Sequence, residues 1–336
     1  MRIVKRNTVI WASIIIADIV IASVGTAYFT GVFSSKRSRL VVSTTTSLYD
    51  TGLYDVIEDR FESEYPIDLY FVPVGTGQAI VQAQNGDADM LIVHDPPGES
   101  TFLANGYGLC RKIVAYNFFV IVGPEEDPVG INGSLPIEAL TKIVEAGRNG
   151  TAKWVSRGDG SGTHFKEKRL WTSSGFDANE LRNEEWYIEA GGSMAVTLGI
   201  ANTYSAYALS DISTYLVYYD YGIPTPGKIS LVVLVEGGVE LLNIYSAMAV
   251  NSTKVNENLN FDGAITFIKF LISEEGQNIF EEFGQEDYGR SLFPPAVAIL
   301  KENTDPTLAT WIKDYAYING EECPSEYWDG HPELYS

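Results

Sequence analysis

Short apolar runs that end in Gly, Ser or Thr and lead into amphipathic stretches recur along this chain. Residues 39–43, 68–72 and 90–94 read as strands, each a run of mostly apolar positions bounded by turn residues. Between them, residues 54–64 and 78–85 carry apolar positions at helical spacing. A longer apolar strand is predicted over 114–122, followed by helices over 136–146, 165–173, 193–202 and 212–219, with a short strand at 206–209. A strand near 246–251 and helices over 261–271 and 276–283 complete the pattern. The βαβαβ order predicts an α/β class with doubly wound lobes. The strand over 114–122 is expected to carry the chain into a second lobe and the strand near 246–251 to bring it back. That gives a discontinuous first lobe (39–115 plus 243–300), a second lobe (116–242) and a hinge of two crossover strands. The tail, 301–336, is rich in Tyr, Trp and acidic residues and receives no role.

Four of the predicted strand-to-helix junctions share one chemistry. Thr44-Thr45-Thr46-Ser47 follows the first strand, and Gly75-Thr76-Gly77 the second. Arg157-Gly158-Asp159-Gly160-Ser161-Gly162-Thr163 joins the strand around Trp154 to a helix, and Gly191-Gly192-Ser193 opens another. A helix start leaves backbone N–H groups unpaired and carries the positive end of the dipole. Hydroxyls add donors, glycine lets the backbone close on a ligand, and Arg157 offers a rigid fork of N–H groups. Such junctions can converge beyond the carboxyl ends of strands, where open α/β sheets bind ligands. Together they point to an anion cradle.

Several of these segments, in this order, resemble one family. They are Thr44 to Ser47 with Asp50-Thr51-Gly52-Leu53, Val74 to Ala79, Gly86-Asp87-Ala88-Asp89 with His94, Tyr116-Asn117 to Val122-Gly123-Pro124, and Ser156 to His164. The family is the TupA-type tungstate-binding proteins of ABC importers, and the likeness runs from about Leu40 to Phe283. It implies a two-lobed periplasmic-binding-protein fold of type II with a tetrahedral oxyanion in the cleft. By motif, Thr45, Thr46 and Ser47 would donate from one lobe, and Arg157, Ser161, Gly162 and Thr163 from the other. Thr76 and Ser193 are added on the general pattern of such binding proteins. The resemblance further implies a monomer that needs no cofactor, whose ligand is tungstate or molybdate and whose partner is a membrane permease. The two ions share charge and shape, so no motif separates them.

Hydrogenphosphate is the second candidate, because Arg157 to Thr163 also resembles the motif of phosphate-binding proteins. Tungstate needs donors alone, whereas hydrogenphosphate also needs an acceptor. Asp159 is the ambiguous residue, since it either holds Arg157 flat or presents a carboxylate to the ligand. An enzyme, such as a phosphoester hydrolase, would have to use Ser161 with His164. An i, i+3 pair at a helix start lacks triad geometry, and no G-x-S-x-G elbow occurs. His94, His164 and His331 are too scattered for a metal-ligand pattern. His94, at a strand end, reads as a structural hydrogen-bonder. The tyrosines at 215, 218, 219 and 221 read as lobe packing.

Charge and the N-terminus place the molecule. The chain of 336 residues carries 44 acidic and 23 basic side chains, a formal net charge of −21. That opposes nucleic-acid binding and leaves anion affinity to local donors. Residues 8–33 form an apolar run broken by Asp18 and preceded by Arg2, Lys5 and Arg6. Residues 1–38 are therefore a signal or anchor segment, with a retained anchor favoured because the run is long and no clear A-x-A site follows. The domain is expected outside the cytoplasm, tethered, or secreted if the segment is cleaved. Sequons at Asn132, Asn149 and Asn251 are compatible with that. Cys110 and Cys323 either form one disulfide or remain two buried thiols.

Overall fold

The computed structural model describes residues 37–221 and 229–336, so the N-terminal apolar run lies outside the described residues. Residues 39–336 form one compact unit. The first half of the chain runs β1 (Ser38–Thr45), α1 (Thr46–Tyr49), α2 (Leu53–Glu64), β2 (Ile67–Val74), α3 (Thr76–Asn85), β3 (Met90–Val93), α4 (Pro96–Ala104) and β4 (Gly108–Gly123). Next come α5 (Pro136–Arg148), β5 (Trp154–Ser156), α6 (Gly162–Ser173), α7 (Ala178–Leu181), β6 (Tyr187–Glu189), α8 (Met194–Tyr204), β7 (Tyr207–Asp211) and α9 (Ile212–Tyr221). The chain then forms β8 (Val232–Glu236) and β9 (Leu242–Val250), and ends in helices α10 (Phe261–Leu271), α11 (Glu274–Glu282), α12 (Gln285–Tyr288), α13 (Val297–Glu302) and α14 (Pro306–Ala316).

The strands lie in the order β2-β1-β3-β9-β4-β7-β5-β6, with β8 also on β4. β1 runs parallel to β3, and β5 runs parallel to both β6 and β7, as strands joined by helical crossovers do. β4 joins the two sets. Its residues up to Phe118 pair with β9, and those from Phe119 on pair with β7 and β8. The two lobes therefore share β4 as one crossover, and the chain returns through Leu241 into β9. The strands at the centre of each lobe are covered on both faces and read as nearly unbroken apolar runs, such as Met90–Val93. Pro73 is tolerated inside β2 because β2 is an edge strand.

Each lobe has its own core. In the first, Leu40, Val42, Ile57, Phe61, Met90 and Phe267 pack together. In the second, Phe119, Ile121, Ile143, Trp154, Trp171 and Tyr207 do so. A smaller cluster sets Leu308 and Ile312 of α14 on Ile113 of β4 and on Leu242 and Ile244 of β9. The C-terminal segment thus covers the crossover strands. Cys110 and Cys323 are both buried free thiols, and burial pushes Cys110 up to about 12. No helix among the described residues is long and apolar enough to cross a membrane.

Candidate functional site

The predicted junctions meet where the lobes touch. Arg157 follows β5 and is almost wholly buried. Its Nη2 donates across the lobes to Thr46 Oγ1 at 3.1 Å, and its Nε donates to Asp159 Oδ2 at 2.9 Å and Gly192 O at 3.3 Å. Asp159 Oδ1 accepts from Ser161 N at 3.0 Å. Both carboxylate oxygens of Asp159 are therefore engaged in holding the arginine and the loop. Gly158 and Gly160 take positive φ of 64° and 73°, the left-handed region that lets so short a loop turn back on itself.

The helix starts abut. A Cβ at Gly75 would lie 3.5 Å from Ser161 Cα, and one at Gly77 would lie 3.2 Å from Gly160 O. The first turns of α3 and α6 thus face each other across the seam. Thr76 and Thr163 sit in those turns, and the Oγ1 of each is buried with no hydrogen-bond partner in the protein. Buried hydroxyls are nearly always paired, so these two call for an explanation. Thr45 Oγ1 and Ser47 Oγ lie 3.1 Å apart, at the end of β1 and in α1. Thr44, by contrast, is locked in the core by Tyr54 OH at 2.5 Å and Ile92 O at 2.9 Å. Ser161 Oγ accepts from His164 N at 3.3 Å and so caps α6. Ser193 precedes α8 beside Gly192, the residue that accepts from Arg157, but its hydroxyl does not cap the helix.

Behind these groups lies a polar chain that sequence reasoning touched only at His94. A Cβ at Gly162 would sit 2.5 Å from His94 Cε1, so the ring packs directly against the first residue of α6. His94 Nδ1 bonds Asn243 Oδ1 at 2.9 Å, and Asn243 Nδ2 donates to Asn117 Oδ1 and to Tyr245 OH, both at 2.9 Å. With the amide so oriented, Oδ1 is the acceptor, and Nδ1 of the neutral imidazole carries the proton. Burial pushes His94 down to about 4, against an opposing pull from Asp211. Asn117 continues the chain through Ser213 to Asp211. Asp211 Oδ1 also accepts from Thr214 N at 3.0 Å, whereas Oδ2 is buried without a partner. On the rim, Tyr218 OH donates to Asp50 Oδ2 at 3.1 Å across the lobes.

The donor set is suited to a small anion. It combines one nearly buried guanidinium, two unpartnered hydroxyls and two helix starts that approach each other across the lobes. Among the described residues no group of three or more His, Cys, Asp or Glu is arranged to hold a metal ion. His164 Nδ1 accepts from Gly160 N at 3.0 Å, so the ring is turned to the loop rather than to the Ser161 hydroxyl. Open depressions, such as that between Val56, Arg60 and Glu275, lie elsewhere and hold none of these residues.

Known proteins resemble this chain in sequence and fold. The PBP superfamily domain matches residues 24–275. The tungstate-binding protein TupA of Peptoclostridium acidaminophilum is 38% identical over 268 residues, which are 79% of this chain and 88% of that protein. A solved structure of the tungstate-binding protein TupA of Desulfovibrio alaskensis superposes with a TM-score of 0.65 at 36% identity, covering 77% of this chain and 98% of its own. The structure of the tungstate ABC transporter from Geobacter sulfurreducens gives 0.62 at 39% identity, covering 72% and 97%. With its two lobes, its crossover strands and its paired helix starts, this chain belongs to the TupA-type tungstate-binding proteins of the PBP superfamily.

Proposed function

We propose that this protein captures tungstate between its lobes outside the cytoplasm and delivers it to the permease of an ABC importer. Molybdate, of equal charge and shape, is the alternative cargo. The N-terminal apolar segment would tether it to the membrane. The observation that carries the reading is the pair of unpartnered hydroxyls, Thr76 and Thr163, on helix starts that meet beside Arg157. A tetrahedral dianion there would take both hydroxyls, the N–H groups of the two first turns and the free face of the guanidinium. Thr45, Thr46 and Ser47 would complete the set from the first lobe. Gly162 would give its N–H, and Ser193 would stand at the edge.

The acceptor argument supports tungstate over hydrogenphosphate. Asp159 was the carboxylate in question, and both its oxygens are engaged by Arg157 and Ser161 N. The observation on the other side is Asp211 Oδ2, buried and unpartnered in the layer behind the donors. Calorimetric titration near pH 7.5 with tungstate, molybdate, sulfate and phosphate separates the two readings. Strong heat from the first two and none from phosphate is expected. Phosphate binding as tight as tungstate would transfer the role of acceptor to Asp211 and overturn the assignment.

A further inference from the structure

The C-terminal segment lies past residue 275, where the superfamily match ends, yet it reaches the helix that carries half of the proposed anion site. On α14, Tyr315 OH accepts from Arg169 Nη2 of α6 at 3.4 Å. Lys166 Nζ of α6 stands 4.3 Å from the centre of the same ring and donates to Leu242 O, the first residue of β9, at 2.9 Å. Arg169 Nη1 donates to Asp95 Oδ1 at 2.8 Å, across from the second lobe to the first. Asp95 N in turn donates to Glu99 Oε1, and Glu99 Oε2 accepts from Arg111 Nε at 2.8 Å in a fully buried pair. Arg111 Nη1 then donates to Glu322 O, back in the C-terminal segment, at 2.6 Å. The circuit begins and ends in that segment and passes through the first lobe and α6.

We propose that the C-terminal segment is a brace across the hinge, in which Arg169, held between Asp95 and Tyr315, latches α6 to the first lobe and slows release of the bound anion. α6 is one rigid rod. Ser161 to Thr163 stand at its start, and Arg169 lies about 10 Å further along at 1.5 Å per residue. Whatever holds Arg169 to Asp95 therefore holds the donors against Thr46 and Thr76. A contact made only when the lobes are together shifts the population towards the closed form, and a ligand that needs that form leaves more slowly. Arg169 is a positioning residue, acting through α6 on the site. The anion's identity rests on the proposed function; the latch does not.

The test is the rate of tungstate release by stopped-flow tryptophan fluorescence in the wild type, Arg169→Gln, Arg169→Lys and Tyr315→Phe. Arg169 is a third exposed, so its ion pair is in the weak class and the expected effect is about 1.5-fold to fivefold. Arg169→Gln releases faster by that factor while the protein stays folded and association is not slowed. Arg169→Lys recovers part of the loss, because an ammonium still reaches Asp95. Tyr315→Phe, which removes one hydroxyl, shifts release in the same direction by less. In parallel, spin labels on V81C and V196C, exposed positions on α3 and α8, report the interlobe distance without ligand. Arg169→Gln lengthens it. Folded variants with wild-type release and wild-type distances overturn the brace. If the wild type binds no tungstate, the oxyanion reading fails, and the label distances alone decide the latch.

Discussion

Arg157 is the one guanidinium placed against the proposed ligand, in a chain whose net charge of −21 repels anions. Losing one partner of a buried, charge-assisted contact costs about 2–5 kcal/mol. Arg157→Ala should therefore weaken tungstate binding about 30-fold to several thousand-fold in calorimetry. Arg157→Lys should recover only part, because a point charge cannot replace the planar fork. Thr76 and Thr163 make a sharper case. Each hydroxyl is buried with no partner in the protein, so Thr76→Val and Thr163→Val remove an unsatisfied group while keeping shape. Each variant should melt at or above the wild-type temperature yet bind tungstate about tenfold to a hundredfold more weakly, the worth of a hydrogen bond to a charged group. Lower stability with unchanged affinity would assign both threonines to packing. These residues were legible in the sequence because they lie in contiguous motifs. Asn117, Asn243 and Asp211 were not read as a set, because the two asparagines are 126 residues apart and meet only through the β4–β9 pairing.

At the scale of elements, α6 matters most, and Glu167 seats it. This buried carboxylate accepts from Trp154 Nε1 at 2.8 Å, Trp171 Nε1 at 3.1 Å and Tyr187 OH at 2.6 Å on one oxygen, and from Ser156 Oγ at 2.9 Å on the other. It pins the helix to β5 and β6. Glu167→Gln puts an amide N–H₂ against one of these donors and should lower stability by about 2–4 kcal/mol in urea titration. Unchanged stability would mean that the network can rearrange. The first lobe's strands and helices were legible because their apolar runs are bounded by turn residues such as Gly52, Gly75 and Gly86. β4 was expected over 114–122 and starts at Gly108, because Arg111 and Lys112 interrupt the apolar run. Both are tolerated inside the strand by partners distant in sequence, Glu99 and Glu322. α14 lies in the tail that received no role; its Pro306 occupies the first turn of the helix, where no N–H is needed. β8, four apolar residues before Glu236, offers no periodicity that distinguishes strand from helix.

For the whole molecule, pH bears on the hinge through His94. Burial lowers its pKa from 6.5 to about 4, so the folded state holds the imidazole neutral while the unfolded chain protonates it near 6.5. Above pH 6.5 neither state binds this proton and stability is unaffected. Between 6.5 and about 4 the unfolded state gains the proton first, and stability falls by up to about 3 kcal/mol as pH drops. His94→Asn should flatten the loss of stability in that window, as followed by urea titration at each pH. An unchanged slope would assign acid sensitivity to the carboxylates instead. The central claim, however, is that a metal oxyanion sits between the lobes at the paired helix starts. Its most direct test is a crystal structure with tungstate, using anomalous scattering from tungsten to locate the metal. A single peak is expected with its oxygens within about 3 Å of Thr76 Oγ1, Thr163 Oγ1 and the Arg157 guanidinium. A peak elsewhere, or none in crystals that hold the ligand at saturating concentration, would contradict the account.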